Sequence, residues 1–356
     1  MSVSGNIYAI PTPYVLYCGD SDDITQVKVA RGVVEWARHK VSAVYKDRNR
    51  LIPEAPHVDA LMNSGATLVI GLAPFGGAIT QDIVMAAMHA ISCGLNVAAG
   101  LHSKLADVPE LVDAADKAGV KLYDFRHRPD AYPLGTGLSR AGVRCLTVGT
   151  DCACGKKYTA LTLHREAQAR IGDAAVFCST GQTGFLISNS GINNDTITAD
   201  FLAGAAESLS PDSRDSLYFI EGQGSIEHPA YCGGSLSLLA GSRPDFLIVC
   251  HEHLASVRKG TSSPIRLRET IINNLTCARM FGLTPIVLAI SVNFSKANFL
   301  YPEQKAEALR QYEAEYPDVL VFDPSESSPA LDSAVSRLVS AHIEHMHSGL
   351  NHDLLL

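Results

Sequence analysis

Short apolar runs alternate with stretches of helical periodicity along almost the whole chain. That alternation is the signature of parallel sheets wound with helices. In the first part, residues 14–20, 41–45, 66–71, 96–100 and 120–124 read as strands, and residues 30–37, a stretch ending near 93, and 108–118 read as helices. The glycine-rich turn 73–80 could hold a phosphate, but it lacks the G-x-G-x-x-G spacing of dinucleotide sites, so a tight structural turn competes with that reading. Arg126 and Arg128 follow a strand, at the end where open α/β sheets place ligands, unless they are simply solvated charges. Residues 129–142, with Pro129, Pro133, Gly135 and Gly137, then interrupt the pattern and read as a linker. The expected fold is α/β in two domains: a Rossmann-like parallel sheet over 1–137, then a P-loop NTPase-like parallel sheet over 138–356. In the second, strands fall at 143–149, 174–179, 215–221, 246–250, 285–293 and 319–323, with helices at 158–170, 196–209, 233–239, 302–316 and 333–347. His342, His345 and His347 are expected to face solvent.

The second domain opens on Gly149-Thr150-Asp151-Cys152-Ala153-Cys154-Gly155-Lys156-Lys157-Tyr158, a loop between an apolar run and a helical pattern. Consecutive backbone N–H groups and the positive end of a helix macrodipole can converge there on an anion, with a lysine over the phosphate oxygens. The usual pattern ends in Lys followed by Ser or Thr, whose hydroxyl holds Mg²⁺. Here the first glycine comes one residue early and Lys157 replaces the hydroxyl, so the loop reads as an anion cradle with a second cation in the metal ligand's place. A glycine-turned connection without ligand is the alternative. Cys152 and Cys154 sit where amides and lysines should lower a thiol pKa, although small residues fitting a cramped loop need no such role.

Further candidates lie at strand ends. Residues 180–184 leave room for backbone amides to reach a ligand, and Gln182 and Thr183 are candidate substrate contacts. The polar loop 188–195 reads as a rim or lid. Asp200, beside a stripe of Ile197, Phe201 and Ala205, is expected to point toward the sheet, paired or functional. Glu221 ends a buried strand ahead of Gly222-Gln223-Gly224, with His228 beyond. His251-Glu252-His253 ends another strand. Alternate strand residues face opposite ways, so His251 reads as an acid or base, or as a structural histidine, rather than as a metal ligand. Arg258, Lys259, Arg266 and Arg268 cluster around a loop, as a solvated face or as a carboxylate or phosphate clamp.

Composition narrows the classes. At 356 residues, 46% apolar and 19% charged, the chain can bury two cores. A net charge of −8 argues against a nucleic-acid partner. No apolar stretch reaches the roughly 20 residues of a membrane span, and the N-terminus lacks a signal-peptide pattern. Nine cysteines without paired or zinc-like spacing suggest reduced thiols in the cytoplasm.

Gly149-Thr150-Asp151 with Gly155-Lys156 resembles the variant phosphate loop of dethiobiotin synthetase, and Glu221-Gly222-Gln223-Gly224 resembles that group's second motif. Nearly the whole chain resembles the DgcN-type D-glutamate N-acetyltransferase family, with a Rossmann-like N-terminal part and a phosphate-loop C-terminal part. That resemblance implies acetyl transfer from acetyl-CoA to the amine of a small acidic amino acid. Placement then makes Glu221 and His251, with Asp200 behind them, the expected bases. The loop 149–158 would hold the donor, while Gln182, Thr183, Gln223, His228, Arg258, Lys259 and Arg266 would bind the acceptor, with no metal. Amides near 181–184 would steady the oxyanion. Dethiobiotin synthetase itself implies the alternative of an ATP- and Mg²⁺-dependent ligase or kinase, and a nucleotide-sensing module without chemistry is a third reading. A homodimer is expected by analogy and from the prevalence of two-fold symmetry.

Overall fold

The computed structural model describes residues 9–20, 26–48, 50–52, 58–74, 77–128, 131–297 and 300–348. Phe75 and Gly76 of the glycine-rich turn, and Pro129 of the linker stretch, lie outside the described residues. Two compact units form: residues Met1–Ala131 with Gln182–Thr196, and Tyr132–Gly181 with Ile197–Leu356.

In the first unit, strands β1 (Tyr14–Tyr17), β2 (Val41–Tyr45), β3 (Thr67–Ile70), β4 (Asn96–Ala99) and β5 (Leu122–Asp124) pair in parallel in the order β2-β1-β3-β4-β5. Side chains alternate across β1. Val15 and Tyr17 meet helices α2 (Gln81–Ser92) and α3 (Pro109–Ala118), while Tyr14 and Leu16 meet α1 (Lys28–Ala37) and α5 (Gln182–Ser188). Both faces are covered, which is why these strands read as continuous apolar runs. Helix α5 belongs here although its sequence follows a strand of the second unit, because Phe185 and Leu186 are fully buried in this core.

In the second unit, β6 (Val143–Gly149), β7 (Ala175–Cys178), β8 (Leu217–Ile220), β9 (Phe246–Glu252), β10 (Ile286–Asn293) and β11 (Leu320–Phe322) pair in parallel as β11-β10-β9-β6-β8-β7. Helices α4 (Lys156–Ile171), α6 (Ala199–Leu209), α7 (Cys232–Ser242), α8 (Leu267–Met280), α9 (Pro302–Glu315) and α10 (Pro329–Ser348) accompany them. The strand order reverses at β6, which has β8 on one side and β9 on the other, so a crevice opens at its carboxyl end. Residues 132–142 are tied to this unit through Arg140, which donates to the carbonyls of Glu207, Ser210, Gly241 and Ser242.

The fold adds one helix and corrects two expectations. The sequence reading assigned no element to residues 267–280. They form α8, whose buried stripe of Leu267, Thr270, Asn274 and Ala278 is half polar and so invisible to hydrophobic periodicity. Asp200 is solvent-exposed, and Phe201 is 39% exposed, because α6 turns its small residues Gly204, Ala205 and Ala206 inward instead. A Cβ on Gly204 would stand 1.8 Å from the Pro133 carbonyl, so that face admits only a small side chain. His342 is buried, completing the stripe of Leu331, Ala334, Val335 and Leu338 on α10, and His345 Nε2 accepts the Gly142 N–H at 2.9 Å.

Candidate active site

Strand β6 delivers its loop to the crevice, and two backbone choices shape it. Ala153 and Gly155 both take positive φ, +52° and +104°, and Gly155 then starts α4 with Asn293 packed against it. A side chain at Gly155 would be strained there whatever space it had. Lys156 is buried and its ammonium curls back onto the loop, 2.6 Å from the Asp151 carbonyl and 3.5 Å from Cys154 Sγ. Thr150 is fully buried, its hydroxyl 3.1 Å from Nδ1 of His251. Thr159, the next hydroxyl on the helix, is fully buried and spends its bond on Ser291 at 2.7 Å. Lys157 therefore occupies the position where a metal-binding hydroxyl would be needed.

Glu221 leaves the end of β8 beside this loop. Gly222 follows because a Cβ there would stand 1.7 Å from the Thr147 carbonyl and 3.1 Å from the Lys156 side chain. The Glu221 carboxylate is buried and accepts the Thr180 N–H at 3.1 Å. Burial raises its pKa above the usual carboxylate range, opposed by Lys157, the Thr180 amide, Lys156 and the Gly181 amide in that order. The amides of Thr180 and Gly181 are thus directed at Glu221, so Gly181, at the start of the expected oxyanion stretch 181–184, is already engaged. Gln223 donates to the Thr180 hydroxyl at 2.8 Å, which itself donates to the Glu221 carbonyl at 2.7 Å. His251 is buried, and its pKa is pulled down to about 4 by burial first and His253 second, so the ring is neutral near pH 7. The Cys152 thiol is pushed up by burial, which outweighs Lys156, against the expectation of an activated thiol.

The four cations separate. Arg258 is buried and closes its own turn, donating to the Pro264 carbonyl and to Glu227, which also takes Thr270 and Asn273 at 2.6 Å each. Both of its Nη atoms are thus engaged within the protein, while its buried Nε has no partner among the described residues. Arg266 is exposed and pairs with Glu269 at 2.8 Å across the start of α8. Arg268 lies over the Tyr316 ring. Lys259 alone of the four is tied to the phosphate loop, its backbone N–H reaching Asp151 Oδ2 at 2.9 Å and its ammonium the Cys152 carbonyl at 3.0 Å. Burial and Lys296 lower its pKa.

Gln182 and Thr183 begin α5 and belong to the first unit, whereas Gln223 and His228 stay with the loop in the second. The relation of His228 to the loop was not legible in sequence. His228 is buried, with Nε2 2.9 Å from the Lys259 carbonyl and 4.0 Å from Asp151 Oδ1, and Nδ1 accepts the Ala230 N–H at 3.2 Å. Ligand atoms of Asp151, Cys152 and His228 lie within 4.8 Å of one another, a spacing that could hold a cation. Both ring nitrogens already carry hydrogen bonds, however, so the trio reads better as a brace joining the loop to the turn after β9.

Family models match both units: the DUF1611 N-terminal Rossmann-like domain over residues 35–128 and the DUF1611 C-terminal P-loop domain over 133–332, each described as a domain of unknown function. The chain belongs to the DUF1611 family. A DUF1611 protein from Anabaena variabilis of known structure superposes with a TM-score of 0.79 at 28% identity, covering 92% of this chain and all of that one. Two relatives carry the name D-glutamate N-acetyltransferase. One, from a Pseudoalteromonas species, is 37% identical over 310 residues, 85% of this chain and 93% of the relative. The other, from Tritonibacter scottomollicae, is 41% identical over 256 residues, 70% of this chain and 77% of the relative. As in the sequence reading, both DUF1611 sheets are α/β and wholly parallel. No described helix is long and apolar enough to cross a membrane.

Proposed function

We propose that this protein transfers the acetyl group of acetyl-CoA to the amine of D-glutamate. The observation that carries the reading is a phosphate loop whose metal-hydroxyl position is Lys157, in a chain 37–41% identical to two D-glutamate N-acetyltransferases. Acetyl-CoA presents a pyrophosphate and a further phosphate, which Lys156, Lys157, Lys259 and the loop amides can neutralise without a metal. An ATP-dependent ligase would need the hydroxyl that Lys157 displaces and that Thr159 has committed to Ser291.

In this reading Glu221 is the base. Its raised pKa brings it closer to the working pH, and its carboxylate takes a proton from the acceptor ammonium. The freed amine forms a C–N bond to the thioester carbonyl carbon, the C–S bond breaks, the CoA thiolate leaves and is protonated by the same glutamic acid, and the nitrogen's remaining extra proton passes to the regenerated carboxylate and on to solvent. His251, neutral and bonded to Thr150, is the second candidate base. Asp200, exposed on α6, gains no support from its surroundings. The enzyme is proposed to work as a cytoplasmic homodimer, for which light scattering should give about twice the 38.0 kDa chain mass. The reaction itself is tested by incubating the protein with acetyl-CoA or ATP and a panel of D- and L-amino acids. Thiol release with D-glutamate is expected, and ADP release without free thiol would replace this reading with the ligase.

A further inference from the structure

The first unit holds a polar cluster that the phosphate-loop chemistry does not use. Arg126 follows β5 at the carboxyl end of its sheet and is 7% exposed, not the solvated charge its position suggested. Its Nη1 donates to the Gly100 carbonyl at 3.2 Å, and its Nη2 meets Asp195 and, at 3.3 Å, Nε2 of His102. Arginine can only donate, so that His102 nitrogen is the acceptor. Asn193 and Asn194 are 3% and 6% exposed. The Asn193 amide donates to the Phe125 carbonyl at 2.7 Å, which fixes its orientation beside Arg126.

Three buried polar atoms in this cluster have no hydrogen-bond partner among the described residues: Arg126 Nε, Asn193 Oδ1 and Asn194 Oδ1. Buried polar groups are nearly always hydrogen-bonded, so three unpaired together, one donor and two acceptors, call for an explanation. Among the described residues the counter-charge on the guanidinium is Asp195, whose side chain is 57% exposed and can leave without opening the core. We propose that Arg126, Asn193 and Asn194 form a binding site for a small α-amino carboxylate, with Asp195 as its displaceable counter-ion. The ligand's carboxylate takes the guanidinium fork, and its ammonium donates to the two amide oxygens. Inorganic phosphate fits less well, because it brings acceptors and would leave both amide oxygens unpaired.

The inference rests on the acetyltransferase reading only for its first probe, D-glutamate. The test is calorimetric titration of the full-length protein, without acetyl-CoA, with D-glutamate, L-glutamate, glutarate and phosphate, each variant's folding being checked by thermal melt. One of the two glutamates should bind, glutarate at least tenfold more weakly for want of an amine, and phosphate no better than glutarate. Arg126→Gln should weaken glutamate at least tenfold, and Asp195→Asn should tighten it severalfold by removing the competing carboxylate. If Arg126→Gln does not fold, Asp195→Asn decides, since that side chain is exposed. No binding of either glutamate to the wild type, or unchanged affinity in the folded variants, overturns the proposal. Glutamate binding lost in Arg126→Gln without any acetyl transfer by the wild type would sink the function and keep this site, whereas transfer by the wild type with calorimetric glutamate affinity unaltered in Arg126→Gln would sink only this site.

Discussion

The two sheets end in loops at their carboxyl edges, and those edges are furnished for different anions. The edge at β6 offers glycines, backbone amides and compact ammonium groups, with Glu221 buried among them. The edge at β4 and β5 offers one buried guanidinium and side-chain amides. In the proposed reading the difference follows from the ligand. Phosphates carry many oxygens and are met by many converging N–H donors, while a carboxylate is planar and is matched by a fork. A parallel sheet supplies the position, and the loops supply the chemistry.

The sharpest way to break this comparison is at Glu221. Glu221→Gln should lower turnover by about 10²–10⁴-fold, the usual worth of a general base, with acetyl-CoA affinity unchanged. Steady-state kinetics beside calorimetry checks both, and wild-type turnover would remove Glu221 from the mechanism. The same variant has a stability signature. A carboxyl whose folded pKa is raised binds its proton more tightly in the folded state, so its contribution is full at low pH and is lost as pH rises through the folded value. Glu221→Gln should therefore melt higher than the wild type at pH 8, with the gap closing below about pH 4.5.

Next in size is Arg258→Ala, which should cost about 3–5 kcal/mol of stability by leaving Glu227 buried without its cation, and should leave the D-glutamate KM of the folded fraction unchanged. A normal melt with a raised KM would restore Arg258 as a substrate clamp. His251 gives a smaller, pH-dependent effect. Its pKa near 4 against 6.5 unfolded means the unfolded chain binds the proton first, so stability falls as pH drops from 6.5 toward 4, by about 3 kcal/mol at about 1.4 kcal/mol per unit. His251→Phe should flatten that loss in acid melts. Smallest is Arg266→Ala, an exposed pair with Glu269, where a change beyond about 0.5 kcal/mol or any shift in KM would contradict its surface role.

The strands and most helices were legible because both sheets are covered on two faces and the buried strands read as apolar runs. The phosphate loop was legible because its residues are contiguous. What stayed hidden depended on distant partners. Arg258 looked like a free cation because Glu227 is 31 residues away, and Arg126 looked solvated because the segment that buries it arrives 69 residues later. The stripe of α8 carries Thr270 and Asn274, so apolar periodicity missed it, and α5, 7 residues long, is too short to display a helical period. The buried His342, by contrast, continues an apolar stripe that pattern reading could have extended.

The central claim is that the loop at β6 holds phosphates with lysines and amides rather than through a metal. Titrating acetyl-CoA and ATP calorimetrically in EDTA, then in excess Mg²⁺, at low and high salt, tests it most directly. The account predicts acetyl-CoA binding that persists in EDTA and weakens with salt as screening grows. Strictly Mg²⁺-dependent ATP binding with no acetyl-CoA signal would contradict it.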